Sequence, residues 1–113
     1  MSETYKQGDI VLIPYPYDDL TGTKRRPVIV VSSTSDLNNS FIVAKITSVI
    51  RYGANSFLLK NQDLDAVLTK TSEVRTNHIF TANNSLVIKK IARLKKAALI
   101  QLTNQIKANF EVF

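Results

Sequence analysis

Several residue types are missing or scarce in this chain of 113 residues, and each absence narrows what the protein can be. It has no cysteine, which excludes disulfides and thiolate metal sites. No apolar run approaches the length that a membrane span needs. Residues 1–7 have no apolar core of the kind found in signal peptides. We therefore expect one soluble, cytoplasmic domain over residues 1–113 with no membrane partner.

Acidic residues are also scarce: nine face fifteen lysines and arginines, which leaves a net charge of +6. This balance favours an anionic partner, either nucleic acid, an acidic protein tail or a membrane surface. The basic residues form two groups along the chain: Lys24, Arg25 and Arg26, then Lys89, Lys90, Arg93, Lys95 and Lys96. The second group is typical of a solvated face, with a dock for an acidic tail as the alternative.

The apolar pattern predicts a mainly β fold with a closing helix. Pro14 and Pro16 lack N–H donors and should end the first strand's ladder. The predicted strands cover residues 8–17, 28–31, 41–48, 56–59, 73–81 and 87–93. Leu99, Leu102 and Ile106 recur at helical spacing, which predicts an amphipathic helix over residues 96–109. Short strands followed by one helix indicate an open β-barrel or curled sheet.

The strongest candidate for a phosphate site is the basic loop predicted before the second strand. Arg26 directly precedes Pro27, so its backbone is restricted to extended conformations. The planar fork of arginine suits phosphate better than an ammonium does. Thr47 and Lys45 share one face of the third strand and point to one rim. The alternatives are solvated loop charges for Arg25 and Arg26 and an ordinary β-branched strand residue for Thr47.

Two tyrosines and two acids border this loop. Tyr15 and Tyr17 could stack on bases, or they could close the barrel. Asp18 and Asp19 resemble a metal-binding carboxylate pair, but adjacent acids in a turn are more typical of turn chemistry. We therefore expect neither a metal nor another cofactor.

The predicted fifth strand carries three residues of chemical interest. Arg75 shares a face with Glu73, so an ion pair between them and a ligand role for Arg75 are both open. His78 is the only histidine, and by strand alternation it should face away from Arg75. We therefore expect His78 to be structural or exposed.

Four blocks of this sequence together resemble the MazF/PemK/Kid toxins of bacterial toxin–antitoxin pairs. They are Gly-Asp-Ile-Val at residues 8–11, Lys-Arg-Arg-Pro-Val-Ile-Val-Val at 24–31, Ala-Lys-Ile-Thr-Ser at 44–48, and Ser-Glu-Val-Arg-Thr at 72–76 continuing into 79–81. The resemblance implies an SH3-like small barrel of five to seven strands with a C-terminal helix. It also implies a homodimer that cleaves single-stranded RNA without a metal.

The resemblance also implies roles for particular residues. Arg26 and Thr47 match the family's catalytic pair, and residues 17–24 match its lid loop. RNA contacts are expected from Tyr15, Tyr17, Lys24, Arg25, Lys45 and Arg75. An antitoxin tail is expected to occupy the RNA groove. Some relatives use an Arg-Cys-Asp sequence for catalysis, but Lys70 and Ser72 stand at its ends here, and the lid histidine of other relatives is missing.

Cleavage without a metal can use the 2′-hydroxyl of the substrate as nucleophile, which requires a proton acceptor, a cation for the phosphoryl oxygens and a donor at the leaving oxygen. Arg26 suits the second role, and Thr47 can donate to a phosphoryl oxygen. A guanidinium is not deprotonated near neutrality, so the base is not identified; Glu73 is one possibility. The alternatives are a non-enzymatic, CcdB-like inhibitor of DNA gyrase and a catalytically silent RNA-binding protein.

Overall fold

A computed structural model of the protein describes residues 5–14, 25–33 and 39–113. The described residues form the predicted mainly β fold with one C-terminal helix. The elements are β1 Asp9–Pro14, β2 Arg25–Val30, β3 Ser40–Thr47, β4 Ser56–Leu59, β5 Ser72–Asn83, β6 Lys89–Arg93 and α1 Lys96–Ala108. No helix in these ranges has the length and apolar character that crossing a bilayer requires.

The six strands form one antiparallel sheet in the order β4-β5-β3-β2-β1-β6. The sheet curls, because Leu59 of edge strand β4 and Ala92 of edge strand β6 belong to the same buried cluster. A bridge between Leu64 and Leu94 connects the segment after β4 to the residue after β6. The helix closes this half-barrel with four buried side chains: Ala98, Leu99, Leu102 and Ile106. The predicted open barrel is therefore confirmed.

Strand β1 is buried on both faces, as its continuous apolar run predicts. Ile10 belongs to the cluster beneath the helix, whereas Val11 and Ile13 belong to a second cluster on the other face of the sheet. That second cluster includes Val28, Phe41 and other buried residues of β2, β3 and β5. The sheet therefore has a hydrophobic core on each side.

The Gly8-Asp9 pair that opens β1 has a structural explanation. Gly8 has a φ of +96°, and a Cβ there would lie 3.1 Å from Cδ2 of Leu99, so this position favours glycine. The Asp9 carboxylate is buried and accepts hydrogen bonds from the backbone N–H of Lys6 and from Nη1 of Arg93, at 2.8 and 2.7 Å. The pair joins the start of the sheet to β6 and the helix.

The prediction that Arg25 and Arg26 lie on a loop is wrong, because both are residues of β2. Their backbones pair with β1, where Pro14 faces Arg25 and Ile13 faces Arg26. Pairing of β2 with β3 starts only at Val28. Pro27 is tolerated in the strand because a residue without an N–H fits where one side of the strand is unpaired.

Candidate nucleic-acid interface

A cleft of about 810 Å³ opens at one end of the sheet, and we call it the basic cleft. Strands β2, β3, β5 and β6 contribute to its walls together with the segments at residues 48–51 and 67–70. None of the described residues that line it is acidic. Seven of its lining residues are basic: Arg25, Arg26, Lys45, Arg51, Lys70, Arg75 and Lys89. Such a surface attracts a polyanion.

The strand register brings Arg26 and Thr47 to the same part of this cleft. Val28 pairs with Lys45 in the antiparallel ladder of β2 and β3. Continuing that register by two residues places Arg26 across from Thr47, and both residues line the cleft. Two side chains with twenty residues between them in sequence therefore line one cleft at the end of this strand pair.

The hydroxyl of Thr47 is oriented by the backbone after β3. Its Oγ1 accepts a hydrogen bond from the N–H of Val49 at 3.1 Å. A hydroxyl has one donor hydrogen as well as its acceptor lone pairs. Accepting from Val49 therefore leaves the hydrogen of Thr47 able to donate to a ligand in the cleft.

The remaining predicted contacts divide into two sets. Arg25 is exposed and Lys45 is half-buried, and both line the basic cleft. Tyr15, Tyr17 and Lys24, which were predicted to contact RNA, lie outside the described residues, as do Asp18 and Asp19. Within the described ranges, no group of three or more histidine, aspartate or glutamate side chains could hold a metal ion.

The predicted ion pair between Arg75 and Glu73 is confirmed, and Arg75 also lines the basic cleft, so a ligand role for it stays a prediction. Its Nη1 lies 2.7 Å from Oε2 of Glu73, which also accepts from Oγ of Ser56 at 2.6 Å. The other oxygen, Oε1, accepts from the N–H of Arg51 at 2.8 Å. Glu73 therefore holds Arg75 and the loop after β3 in place.

These contacts argue against Glu73 as the proton acceptor. Burial by itself would raise the pKa of Glu73, but the hydrogen bonds from Ser56, the Arg51 backbone and Arg75 outweigh it and lower the pKa to about 2. Its side chain is 1% exposed and does not line the basic cleft. A buried carboxylate with so low a pKa is a poor base at neutral pH.

The prediction that His78 faces away from Arg75 is wrong, because both residues line the basic cleft. Ala44 of β3 pairs with Ile79 of β5, but Ile46 pairs with Val74. While β3 advances by two residues, β5 advances by five, so β5 contains a bulge of three extra residues. The bulge interrupts the alternation of side chains on which the prediction depended.

Sequence reasoning also missed contributions to the cleft from three basic residues, Arg51, Lys70 and Lys89. Lys70 was noted only as a departure from the family pattern, and Lys89 only as part of the second basic group. Lys89 was detectable in principle, since it pairs with Leu12, another lining residue, across β1 and β6. Predicting that contact requires knowing which strands are neighbours in the sheet.

Three other members of the second basic group, Lys90, Arg93 and Lys95, do not line the basic cleft and contact an acid or a backbone carbonyl. The Asp9 carboxylate lies 2.7 Å from Nη1 of Arg93 and 3.1 Å from Nζ of Lys90. Nζ of Lys95 donates to the carbonyl oxygen of Gln62. A second cavity, of about 770 Å³, we call the rear cavity. Its lining residues include Lys6, Arg93, Lys95, Lys96 and the acidic Asp65.

Comparisons with known proteins agree with this geometry. No curated protein matches the chain in sequence. Its fold is similar to MazE–MazF (Form-III) from Deinococcus radiodurans, with a TM-score of 0.76, 15% identity, and coverage of 96% of this chain and 97% of that one. It is also similar to the Mycobacterium tuberculosis toxin MazF-mt6, with a TM-score of 0.69, 19% identity, and coverage of 93% and 98%.

A further structural neighbour is an endoribonuclease in complex with its cognate antitoxin from a mycobacterial species, with a TM-score of 0.71, 16% identity, and coverage of 93% and 92%. At these identities the likenesses establish a shared fold. The family model described as PemK-like, MazF-like toxin of type II toxin–antitoxin system matches residues 6–110. Because that match spans most of its length, the chain belongs to the family of PemK-like and MazF-like toxins of type II toxin–antitoxin systems.

Proposed function

We propose that this protein is the toxin of a type II toxin–antitoxin system and acts in the cytoplasm as a metal-independent endoribonuclease on single-stranded RNA. The observation that carries the proposal is the basic cleft, where Arg26 and Thr47 lie with six further basic residues and without a described lining acid. A mononucleotide site needs few such charges, whereas a strand with one negative charge per nucleotide can use several along its path. Family membership and the endoribonuclease neighbours support this assignment.

The proposed reaction uses the 2′-hydroxyl of the RNA as its nucleophile. The 2′-oxygen forms a bond to the adjacent phosphorus while the bond from phosphorus to the 5′-oxygen breaks. The proton of the 2′-hydroxyl passes to a base, and the 5′-oxygen gains a proton. The products are a 2′,3′-cyclic phosphate and a 5′-hydroxyl end.

Arg26 and Thr47 have complementary roles in this scheme. The guanidinium of Arg26 stabilises the negative charge that grows on the phosphoryl oxygens. The backbone of Arg26 belongs to strand β2, which limits its movement. Thr47 donates a hydrogen bond to the same group from an oxygen held by Val49. Arg25, Lys45 and the other cations of the cleft contact neighbouring phosphates.

The same cleft is the proposed binding site for the cognate antitoxin. An acidic and partly apolar tail would match its seven cations and its exposed apolar wall residues, Val49 and Val67. Two of the structural neighbours are complexes of a toxin with its antitoxin. We further propose that the active form is a homodimer.

The first test compares Arg26→Ala with the parent protein on a single-stranded RNA in EDTA. We expect cleavage to fall by about 100- to 1,000-fold, the loss typical of one electrostatic contact to a developing negative charge. The fold should persist, because an alanine backbone can keep the pairing of residue 26 with Ile13.

Two controls make this test decisive. RNA with a 2′-deoxy group at the cleavage position should remain intact, because it lacks the nucleophile. Unchanged cleavage by Arg26→Ala, or cleavage of the deoxy substrate, would refute the proposed mechanism. A parent protein that binds RNA with a steep salt dependence but leaves it uncut would instead be a silent RNA-binding protein.

A further inference from the structure

The β5 bulge places the only histidine of the chain in the basic cleft. The last pair before the bulge joins Ala44 to Ile79, so Lys45 and His78 are the next residues on the two strands. Both side chains line the cleft, and His78 is exposed to solvent there. In a regular strand, residues three apart such as Arg75 and His78 would lie on opposite faces.

The position of His78 relative to the proposed reaction centre follows from the ladder. Lys45 and Thr47 are two residues apart on β3, and alternate residues of a strand share a face at a spacing of about 7 Å. Arg26 lies across from Thr47 on one side of β3, and His78 lies beside Lys45 on the other. Two spacings between neighbouring strands, about 4.8 Å each, add to this offset, so this extended register puts the backbones of Arg26 and His78 roughly 12 Å apart. Long side chains that reach toward each other across this distance can flank one nucleotide, with the ribose near the imidazole and the phosphate near the guanidinium.

The chemistry of the cleft leaves few other proton acceptors. Among the described lining residues there is no carboxylate, and the buried Glu73 is unsuitable for the reasons given above. Lysine and arginine are donors without an acceptor site when charged. Neutral imidazole can accept a proton near pH 7 and is the side chain that most often does so in catalysis.

We propose that His78 is the general base that accepts the proton of the 2′-hydroxyl, an inference that rests on the proposed ribonuclease function. The 2′-oxygen then bonds to phosphorus while the bond from phosphorus to the 5′-oxygen breaks, and the departing 5′-oxygen takes a proton from water. Arg26 stabilises the negative charge on the phosphoryl oxygens while these bonds change. The imidazole ends the step protonated and returns its proton to solvent. His78 packs edge-to-face on Phe80, with ring centroids 6.3 Å apart, so its ring is supported from one side.

The other charged groups that line the cleft with His78 are cationic. They are Lys45 from β3, Arg75 from β5, Arg25 and Arg26 from β2, Lys89 from β6, and Lys70 and Arg51 from the adjoining segments. A positive environment disfavours a second proton on imidazole. The pH–rate profile is therefore the direct test of His78 as a base in this cationic site.

The test compares His78→Gln with the parent and with Asn77→Ala, a matched control at the neighbouring exposed position of the same bulge, which does not line the cleft. We expect kcat/KM on single-stranded RNA to fall by about 100- to 10,000-fold for His78→Gln and to stay within about threefold for Asn77→Ala. A general base also predicts that the acidic limb of the pH–rate profile disappears in His78→Gln. In His78→Ala, added imidazole should restore part of the lost rate.

A second measurement separates catalysis from binding and folding. The affinity for an RNA with a 2′-deoxy group at the cleavage position should differ little between His78→Gln and the parent. Full activity of His78→Gln, or a loss of rate that leaves the pH profile unchanged and matches a loss of affinity, would overturn the assignment. Absence of cleavage by the parent itself would instead overturn the proposed function on which the assignment rests.

Discussion

Basic residues line both the basic cleft and the rear cavity, but the two sites differ in the acids that accompany them. Arg93, which lines the rear cavity, contacts Asp9 together with Lys90, and Asp65 both lines the cavity and accepts a hydrogen bond from the N–H of Arg93. In the basic cleft no described lining residue is acidic. The rear charges thus help to close the sheet, whereas those of the cleft form a surface suited to an anionic ligand.

Among the described residues, the acid Glu73 contacts a lining residue of the basic cleft, Arg75, but does not line the cleft itself. Glu73 is buried, binds Arg75 from below and fixes the loop after β3 through the N–H of Arg51. It therefore orients positive charge toward the cleft and does not occupy the ligand's place. A buried acid such as Glu73 leaves the cations of its cleft available to a ligand, whereas an acid that lines a cavity, such as Asp65, offsets the positive charge there.

The largest expected effect on stability is the loss of the contribution of the Glu73 carboxylate at low pH. Its carboxyl titrates near 4.5 when unfolded and near 2 when folded, a difference that corresponds to about 3 kcal/mol. Because the folded pKa is the lower one, this stabilisation is complete above about pH 4.5 and is lost as the pH falls toward 2. Glu73→Gln should lack it.

Urea denaturation of Glu73→Gln and of the parent at several pH values measures this contribution. The two free energies of unfolding should differ by about 3 kcal/mol at pH 7 and converge as the pH approaches 2. A constant gap across that range would show that Glu73 does not stabilise the fold through its charge.

A smaller effect on stability is expected at Asp9, with none on the chemistry of the cleft. Asp9→Ala removes the acceptor for Nη1 of Arg93 and for the N–H of Lys6. Losing buried hydrogen-bond partners of this kind destabilises a protein by about 1–3 kcal/mol. Thermal unfolding should show the loss, while RNA cleavage per folded molecule stays the same. Reduced cleavage by the folded variant would erase the distinction between the two sites.

The smallest expected effect is on the salt dependence of RNA affinity, measured in two double variants that each remove two positive charges. Lys45→Ala with Lys70→Ala changes the basic cleft, whereas Lys95→Ala with Lys96→Ala changes the rear cavity. Each lost phosphate contact lowers the slope of log K against log salt by about 0.7 for a single strand. Titration of a non-cleavable RNA at several salt concentrations should show a lower slope for the cleft variant alone. Equal slopes would mean that net charge, not location, attracts the RNA.

Much of the sheet was predictable because its strands carry clear local patterns. The strand at Ser56–Leu59 has the predicted bounds, and the helix ends one residue earlier than expected, at Ala108. The local pairing of Arg75 with Glu73 was also anticipated as one alternative, since residues two apart on a strand share a face. Such features depend on neighbours in sequence.

The errors concern features that depend on distant partners. Arg25 and Arg26 were predicted on a loop because proline is an allowed first residue of a strand, yet pairing with β1 extends the strand to Arg25. His78 was predicted on the wrong side because the bulge in β5 exists only relative to β3. The local pattern of apolar residues predicts neither which strands are neighbours nor where a bulge interrupts the alternation of side chains.

The pairing of the first strand with the last also has a consequence for how the molecule assembles. Asp9 and Arg93 are 84 residues apart in sequence, and β1 lies between β2 and β6 in the sheet. During synthesis on a ribosome, β1 can pair with β2 early, but it cannot pair with β6 until β6 has been synthesised. Folding through such non-local pairing is slow, in the range of milliseconds to seconds. The half-barrel therefore closes only after translation has passed β6.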